Sequence, residues 1–177
     1  MNAIDQLLRE HAEFRGEMQR LSAAISGPEG GAAWADALGR MRKFGEMMAG
    51  KLARHAAKED QVLFPALEAK LGTTFPPAEV MRGEHREIHA RGAQLRQTLA
   101  ELAEVDHPAI HAGGEALRRM AAGDGRGPAA QRLAAEQILA LLESHFEKEE
   151  EILFPMARQI LEPAELASLA EKMDAMA

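Results

Sequence analysis

Apolar residues recur every three or four positions along most of this chain, a spacing that predicts amphipathic α-helices. The first apolar stripe is Ile4, Leu7, Leu8, His11, Phe14, Met18, Leu21 and Ile25. Similar stripes predict helices over about residues 3–25, 32–71, 77–105 and 128–161. A short amphipathic segment follows from Pro163 to Met176. Runs of β-branched residues are absent, so we expect an all-α fold.

Clusters of Gly, Pro, Ser and Thr separate the predicted helices, and they mark loops at residues 26–31, 72–77 and 123–128. Asp106-His107-Pro108 should break the third helix, with a less regular helical piece up to Ala122. Pro65 and Pro155 should kink or end the regular part of the second and fourth helices. Short connections make neighbouring helices antiparallel, so we expect an up-down-up-down four-helix bundle with an extra short C-terminal helix.

Two sequence motifs, referred to below as the doubled phrases, each occur twice in the chain. HAAKEDQVLFP begins at His55 and HFEKEEEILFP begins at His145, and each places a glutamate four residues after the histidine. A shorter phrase precedes each copy, with Glu10-His11 in the first and Glu84-His85 in the second. The repeat predicts one domain over residues 1–177, built from two related helix pairs over about residues 3–71 and 77–161.

The repeated polar residues lie on the apolar stripes, so they should face the interior of the bundle. Residues four apart share one helix face, which pairs His55 with Glu59, His145 with Glu149, and His85 with His89. An unpaired buried polar group costs roughly 2–7 kcal/mol, so several of them on facing helices need a shared partner. Two divalent cations supply one, and imidazole with carboxylate suits iron, zinc, copper or manganese.

These motifs resemble the hemerythrin HHE cation-binding family of di-iron helix bundles, from the first helix through Pro155. The resemblance implies two oxo- or hydroxo-bridged non-haem iron ions, for which manganese or zinc could substitute. It implies these metal ligands: His11, His55, Glu59, His85, His89, His145 and Glu149. Oxygen carriers of the family have their last carboxylate five residues after its histidine, where this chain has Glu150. The spacing of four favours Glu149, and a local bulge would favour Glu150.

Other polar residues near these motifs have weaker claims. Glu10 and Glu84 point about 100° away from the adjacent histidines, so we expect them to support the ligands or to lie on the surface. His107 and His111 flank Pro108 outside the repeat and should not bind metal. In the first repeat Arg15 occupies the position of His89, so we expect the two ions to be coordinated unequally.

Composition narrows the function further. A formal net charge of −7 disfavours a nucleic-acid or anionic-membrane partner, and the absence of cysteine excludes thiolate chemistry. We recognise no signal peptide or transmembrane run and expect a cytoplasmic protein, monomeric or dimeric. The leading hypothesis is reversible binding of O₂ or a related diatomic such as NO, for carriage, storage or sensing. The alternatives are an enzyme acting on hydrogen peroxide or nitric oxide, and an iron- or oxygen-responsive regulatory module.

Overall fold

The structure, a computed structural model, describes residues 1–29, 31–109 and 127–176, without the side chains of residues 101–109. The first helix, α1, spans Ala3–Ile25. It begins where the Asn2 side chain accepts a hydrogen bond from the backbone N–H of Asp5, an N-cap that satisfies one free donor of the first turn. It ends before the predicted loop at residues 26–31, as the glycine and proline content of that loop indicates.

The second long helix is continuous but contains two π turns. It consists of α2 (Gly31–Met47), a π turn (Met48–Leu52), α3 (Ala53–Lys58), a second π turn (Glu59–Leu63) and α4 (Phe64–Leu71). The helix ends at Gly72, which adopts the left-handed conformation with φ of 68°.

Pro65 was expected either to kink this helix or to end its regular part, and it does not end the helix. The Phe64 N–H donates to the Glu59 carbonyl, five residues earlier, so a wider turn precedes the proline. Proline has no N–H and its ring crowds the carbonyl four residues before it. The π turn relieves that crowding while the chain stays helical.

The second half of the chain repeats this design. Helix α5 spans Pro76–Ala109, and α6 spans Pro128–Lys148. A third π turn, Glu149–Leu153, then leads into α7 (Phe154–Ile160), and α8 covers Pro163–Asp174.

The predicted break at Asp106-His107-Pro108 is wrong, because α5 continues through these residues to Ala109. A single proline removes one backbone hydrogen bond and need not end a helix. The helical piece up to Ala122, most of the loop at residues 123–128, and His111 lie outside the described residues.

Four long helical rods close into a bundle. Helix α1 packs against α2 and α6, and α5 packs against the same two helices, so the four form a ring. Helix α8 packs along α1 and contacts the second π turn. The described residues contain no strand, and the expected all-α bundle with an added C-terminal helix is confirmed. Among the described residues, every helix is too short or too polar to cross a membrane.

The apolar core is divided into two clusters. The α8-side core joins the start of α1 to α4, α7 and α8, with these central members: Ile4, Leu7, Phe64, Leu67, Phe154 and Met173. The Trp34-side core fills the other part of the bundle, with these central members: Phe14, Leu21, Trp34, Met41, Leu142 and Phe146. Buried polar residues from four helices occupy the interior between these two clusters.

Candidate metal centre

Six polar side chains from the doubled phrases face the bundle interior. Their relative exposures are 0% for His11, 1% for His55, 0% for Glu59, 3% for His85, 1% for His145 and 0% for Glu149. Helical spacing explains the arrangement, because each residue occupies an inward position of an apolar stripe. All six were expected on these inward faces.

These side chains form two groups that share both glutamates. One group, called here the His11/His55 group, is His11, His55, Glu59 and Glu149. The other, the His85/His145 group, is His85, His145, Glu59 and Glu149. Within each group the potential ligand atoms all lie within 4.8 Å of one another. Each group could hold a cation, and the two groups have both glutamates in common.

The buried carboxylates lack hydrogen bonds. Both side-chain oxygens of Glu59 and of Glu149 have no hydrogen-bond partner, and neither has Nε2 of His85. The nearest ring nitrogens are Nε2 of His145 and of His11, at 3.0 Å and 3.1 Å from Glu149 oxygens. Buried carboxylates are normally satisfied by hydrogen bonds or by metal ions. Nitrogen and oxygen donors converging in this way fit a pair of divalent cations.

A carboxylate contacts the outer nitrogen of each of the four histidines. The Nδ1 atoms lie 2.8 Å from Glu10 for His55, 2.9 Å from Glu84 for His145, 2.7 Å from Glu150 for His11, and 3.0 Å from Asp60 for His85. A carboxylate oxygen accepts, so each Nδ1 donates its hydrogen and leaves Nε2 free to face the centre. Such contacts fix the orientation of a metal-binding imidazole and raise its basicity.

Three of these outer carboxylates also contact a cation. Lys58 Nζ lies 2.5 Å from Glu10, Lys148 contacts Glu84, and Nη1 of Arg15 lies 2.5 Å from Glu150. Burial would raise the pKa of Glu10, but hydrogen bonds from His55 and Lys58 outweigh it and lower the pKa to about 2. These outer carboxylates therefore act as charged acceptors.

The centre has a strongly anionic field. Burial and the charge of Glu149 raise the pKa of Glu59. Burial would raise the pKa of Glu149 too, but contacts with His11, His145 and His85 hold it well below its usual value. Burial would lower the pKa of His85, yet Asp60, Glu149 and Glu59 raise it to about 11. The interior thus favours positive charge, as a cation site requires.

Aromatic rings enclose the histidines. The His11 ring stacks on Phe146 with 4.2 Å between centroids, and Phe154 lies on it at 5.5 Å. Phe64 stacks over His85 at 6.2 Å, and Phe14 meets His55 edge-on at 5.4 Å. These rings restrict the approach of water and hold the imidazoles in place.

His89 lies outside both groups. Its side chain is exposed and borders a small cavity whose inner wall includes His55, His85 and His145. The expected role of His89 as a ligand therefore stays a prediction. Glu150 bonds to His11 and Arg15, whereas Glu149 lies in the centre, so the structure places the residue at the spacing of four inside. The side chain of His107 is not among those described.

Several supporting residues were missed by reasoning from the sequence. Lys58, Lys148 and Asp60 support the ligands, and Phe146 stacks on His11. A signal was present, because both copies of the doubled phrase carry a lysine three residues and an acid five residues after the histidine. Glu10 and Glu84, expected to support the ligands or to lie on the surface, contact the histidines of the neighbouring helices.

Comparison with known proteins agrees with this geometry. The family model of the hemerythrin HHE cation binding domain matches residues 2–122 and 104–176. No protein of curated function and no solved structure is similar enough to count as a match. The two matches cover nearly the whole chain, including all six buried polar residues. The chain therefore belongs to the hemerythrin HHE cation-binding domain family and is a metal-binding protein.

Proposed function

We propose that this protein binds dioxygen or a related diatomic molecule reversibly at two iron ions held between the four long helices. The observation that carries the proposal is the pair of ligand groups that share Glu59 and Glu149 beside a small, partly apolar cavity. Reversible binding needs a redox-capable metal pair, room for one small ligand, and protection from water.

The donor set supports iron with open positions. Each group offers two imidazoles and two carboxylates, and the two shared carboxylates would bind an ion in either group. Nitrogen and oxygen donors in this proportion suit iron, and they leave positions for an external ligand. When bound, an iron pair supplies the electrons that let dioxygen bind reversibly.

The adjacent cavity fits a small ligand. Leu52, Ala56 and Ile88 form its apolar wall, opposite the centre's histidines. Its volume is about 10 Å³, which is room for one water-sized molecule. A larger groove of about 510 Å³ between α5 and α6 contains none of the six buried polar residues. A cavity of this size has no room for an organic substrate.

The protein supplies the dry surroundings that reversibility requires. The apolar cores enclose the centre, and the rings of Phe146 and Phe154 cover His11. A dry, apolar shell limits side reactions of bound oxygen with water and protons.

The test is a cycle of reduction, oxygenation and deoxygenation. Protein loaded anaerobically with iron should develop a visible charge-transfer band in air and lose it when oxygen is removed. A band that never forms, or one that never reverses, would contradict reversible binding. Steady turnover of hydrogen peroxide or nitric oxide by the same sample would instead establish the enzymatic alternative.

A substitution that fills the cavity tests whether oxygen binding can be weakened without loss of the metals. Ile88→Phe should keep both metals but weaken oxygen binding, because Ile88 lines the cavity and is not a ligand. The matched control is Ile152→Phe, since Ile152 is 54% exposed. Equal oxygen affinity in both variants would show that this cavity is not the binding place.

A further inference from the structure

The repeat provides an internal comparison between the two cation sites. Residues of the first half and their counterparts in the second correspond as follows: Glu10 to Glu84, His11 to His85, His55 to His145, Lys58 to Lys148, Glu59 to Glu149 and Asp60 to Glu150. Any difference in the surroundings of the two sites can therefore be traced to individual positions.

One histidine in each group is supported by the same kinds of residue. His55 donates to Glu10, which also contacts Lys58, and His145 donates to Glu84, which also contacts Lys148. Both acids are partly buried, with side-chain exposures of 19% for Glu10 and 17% for Glu84. The two chains of contacts carry the same charges but differ in exposure, since the Lys58 side chain is 9% exposed and the Lys148 side chain 40%.

The support of the other histidine differs. Glu150, which accepts from His11, is held by Arg15, and Arg15 Nε also lies 3.0 Å from the half-exposed Glu143. Asp60 accepts from His85, and within the described part of the chain no lysine or arginine forms an ion pair with it.

The position equivalent to Arg15 holds His89, which is exposed. Among the basic residues that support the histidines, the two halves therefore differ in residue type only at the position of Arg15.

A cation that contacts the supporting carboxylate changes the donor strength of the histidine that the carboxylate supports. A carboxylate that accepts from Nδ1 raises the basicity of the imidazole and adds negative charge near the metal. A guanidinium on that carboxylate offsets part of both effects, and its own charge repels an incoming cation. His11 should therefore be a weaker donor than His85, although its contact with the carboxylate, at 2.7 Å, is shorter than that of His85, at 3.0 Å.

We propose that Arg15 makes the His11/His55 group the weaker of the two cation sites, so that the His85/His145 group fills first. The inference rests on the proposed metal centre, but it requires no binding of oxygen. Metal binding by His89 would act in the same direction, so the decisive substitution is at Arg15.

Variants that leave one site each allow direct measurement. His55→Ala removes a ligand of the His11/His55 group, and His145→Ala removes the equivalent ligand of the other group. The affinity of each variant for Co²⁺ is measured anaerobically by competition with a coloured chelator. We expect His55→Ala to bind Co²⁺ more tightly, by a factor on the order of ten.

Arg15→Gln in the His145→Ala background should tighten Co²⁺ binding by a factor on the order of ten. In the His55→Ala background the same substitution should have little effect. Arg15→Lys keeps the charge and should preserve the weak site. Arg20→Gln is the matched control, since Arg20 pairs with Glu17 on the exposed face of the same helix.

Equal affinities in the two single-site variants, or an Arg15→Gln effect no larger than that of Arg20→Gln, would overturn the proposal. If the single-site variants do not fold, stepwise Co²⁺ titration of the full-length parent and of Arg15→Gln replaces them. The gap between the two binding steps should narrow in Arg15→Gln, and an unchanged gap would overturn the proposal. A parent chain that binds no Co²⁺ would instead refute the metal centre itself.

Discussion

At the scale of single residues, carboxylates have two distinct roles around the centre. Glu59 and Glu149 are buried without hydrogen bonds and face both groups of histidines. The outer acids, such as Glu10 and Glu150, are partly exposed and accept from the Nδ1 atoms. Position on the helix therefore decides whether a glutamate would bind metal or orient a ligand.

The adjacent pair Glu149 and Glu150 tests this division. Glu149→Gln should reduce the metal content by at least one ion per chain, because an amide cannot replace a bridging carboxylate. Glu150→Gln should retain two ions at saturating metal, with lower affinity, since only the support of His11 is weakened. Metal analysis after desalting measures both variants. The reverse order of the two results would assign the bridge to Glu150.

The buried acids and histidines could be predicted from spacing, while their partners could not. His55 and Glu59 follow from the period of one helix, and the duplication strengthens the inference. The contact of His85 with Asp60 joins two helices across the bundle, and so does the contact of His11 with Glu150. A helical period gives the face of each residue but not the register between helices, so such contacts appear only in three dimensions.

At the scale of elements, the π turns connect the prolines to the centre. The second and third π turns begin at Glu59 and Glu149, and the segments that follow carry Pro65 and Pro155. Both turns close with the N–H of a phenylalanine bonded to the carbonyl of the glutamate. From the prolines alone, a kink or an end of each helix was predicted. Sequence rules do not show whether a wider turn can accommodate the proline ring.

The packing of the C-terminal helix α8 predicts how substitutions in it change the stability of the protein. Met173 is fully buried in the α8-side core, whereas Lys172 is exposed on the same helix. Met173→Ala should destabilise the protein by about 2–5 kcal/mol, because it leaves a cavity in a packed core. Lys172→Ala should change the stability by less than about 0.5 kcal/mol. Urea unfolding followed by circular dichroism measures both, and equal midpoints would mean that α8 contributes little to the core.

At the scale of the whole molecule, the centre is a polar layer between two apolar cores. Both cores draw on helices from the two halves of the chain, so the ligands of the two repeats are held together by packing. The four long helices of the described residues and the repeat could be predicted from the sequence. The division of the core was not, since apolar stripes do not show which stripe packs against which.

The unpaired acids of this layer make stability depend on metal. Removing metal leaves Glu59 and Glu149 buried without hydrogen-bond partners, which is unfavourable. Metal present at about a thousand times its dissociation constant stabilises the folded state by roughly 4 kcal/mol. We therefore expect a clearly lower melting temperature after chelation and recovery after reloading. Identical melting curves before and after chelation would contradict a buried, coordinating centre.

The most direct measurement of the central claim is the number of metal ions per chain. Parent protein loaded anaerobically with Fe²⁺ and then desalted should contain two ions per chain. The double variant Glu59→Ala and Glu149→Ala should contain none, because both groups lose their shared carboxylates. A parent with at most one ion, or a folded double variant that still holds two, would contradict a two-metal centre bridged by these glutamates.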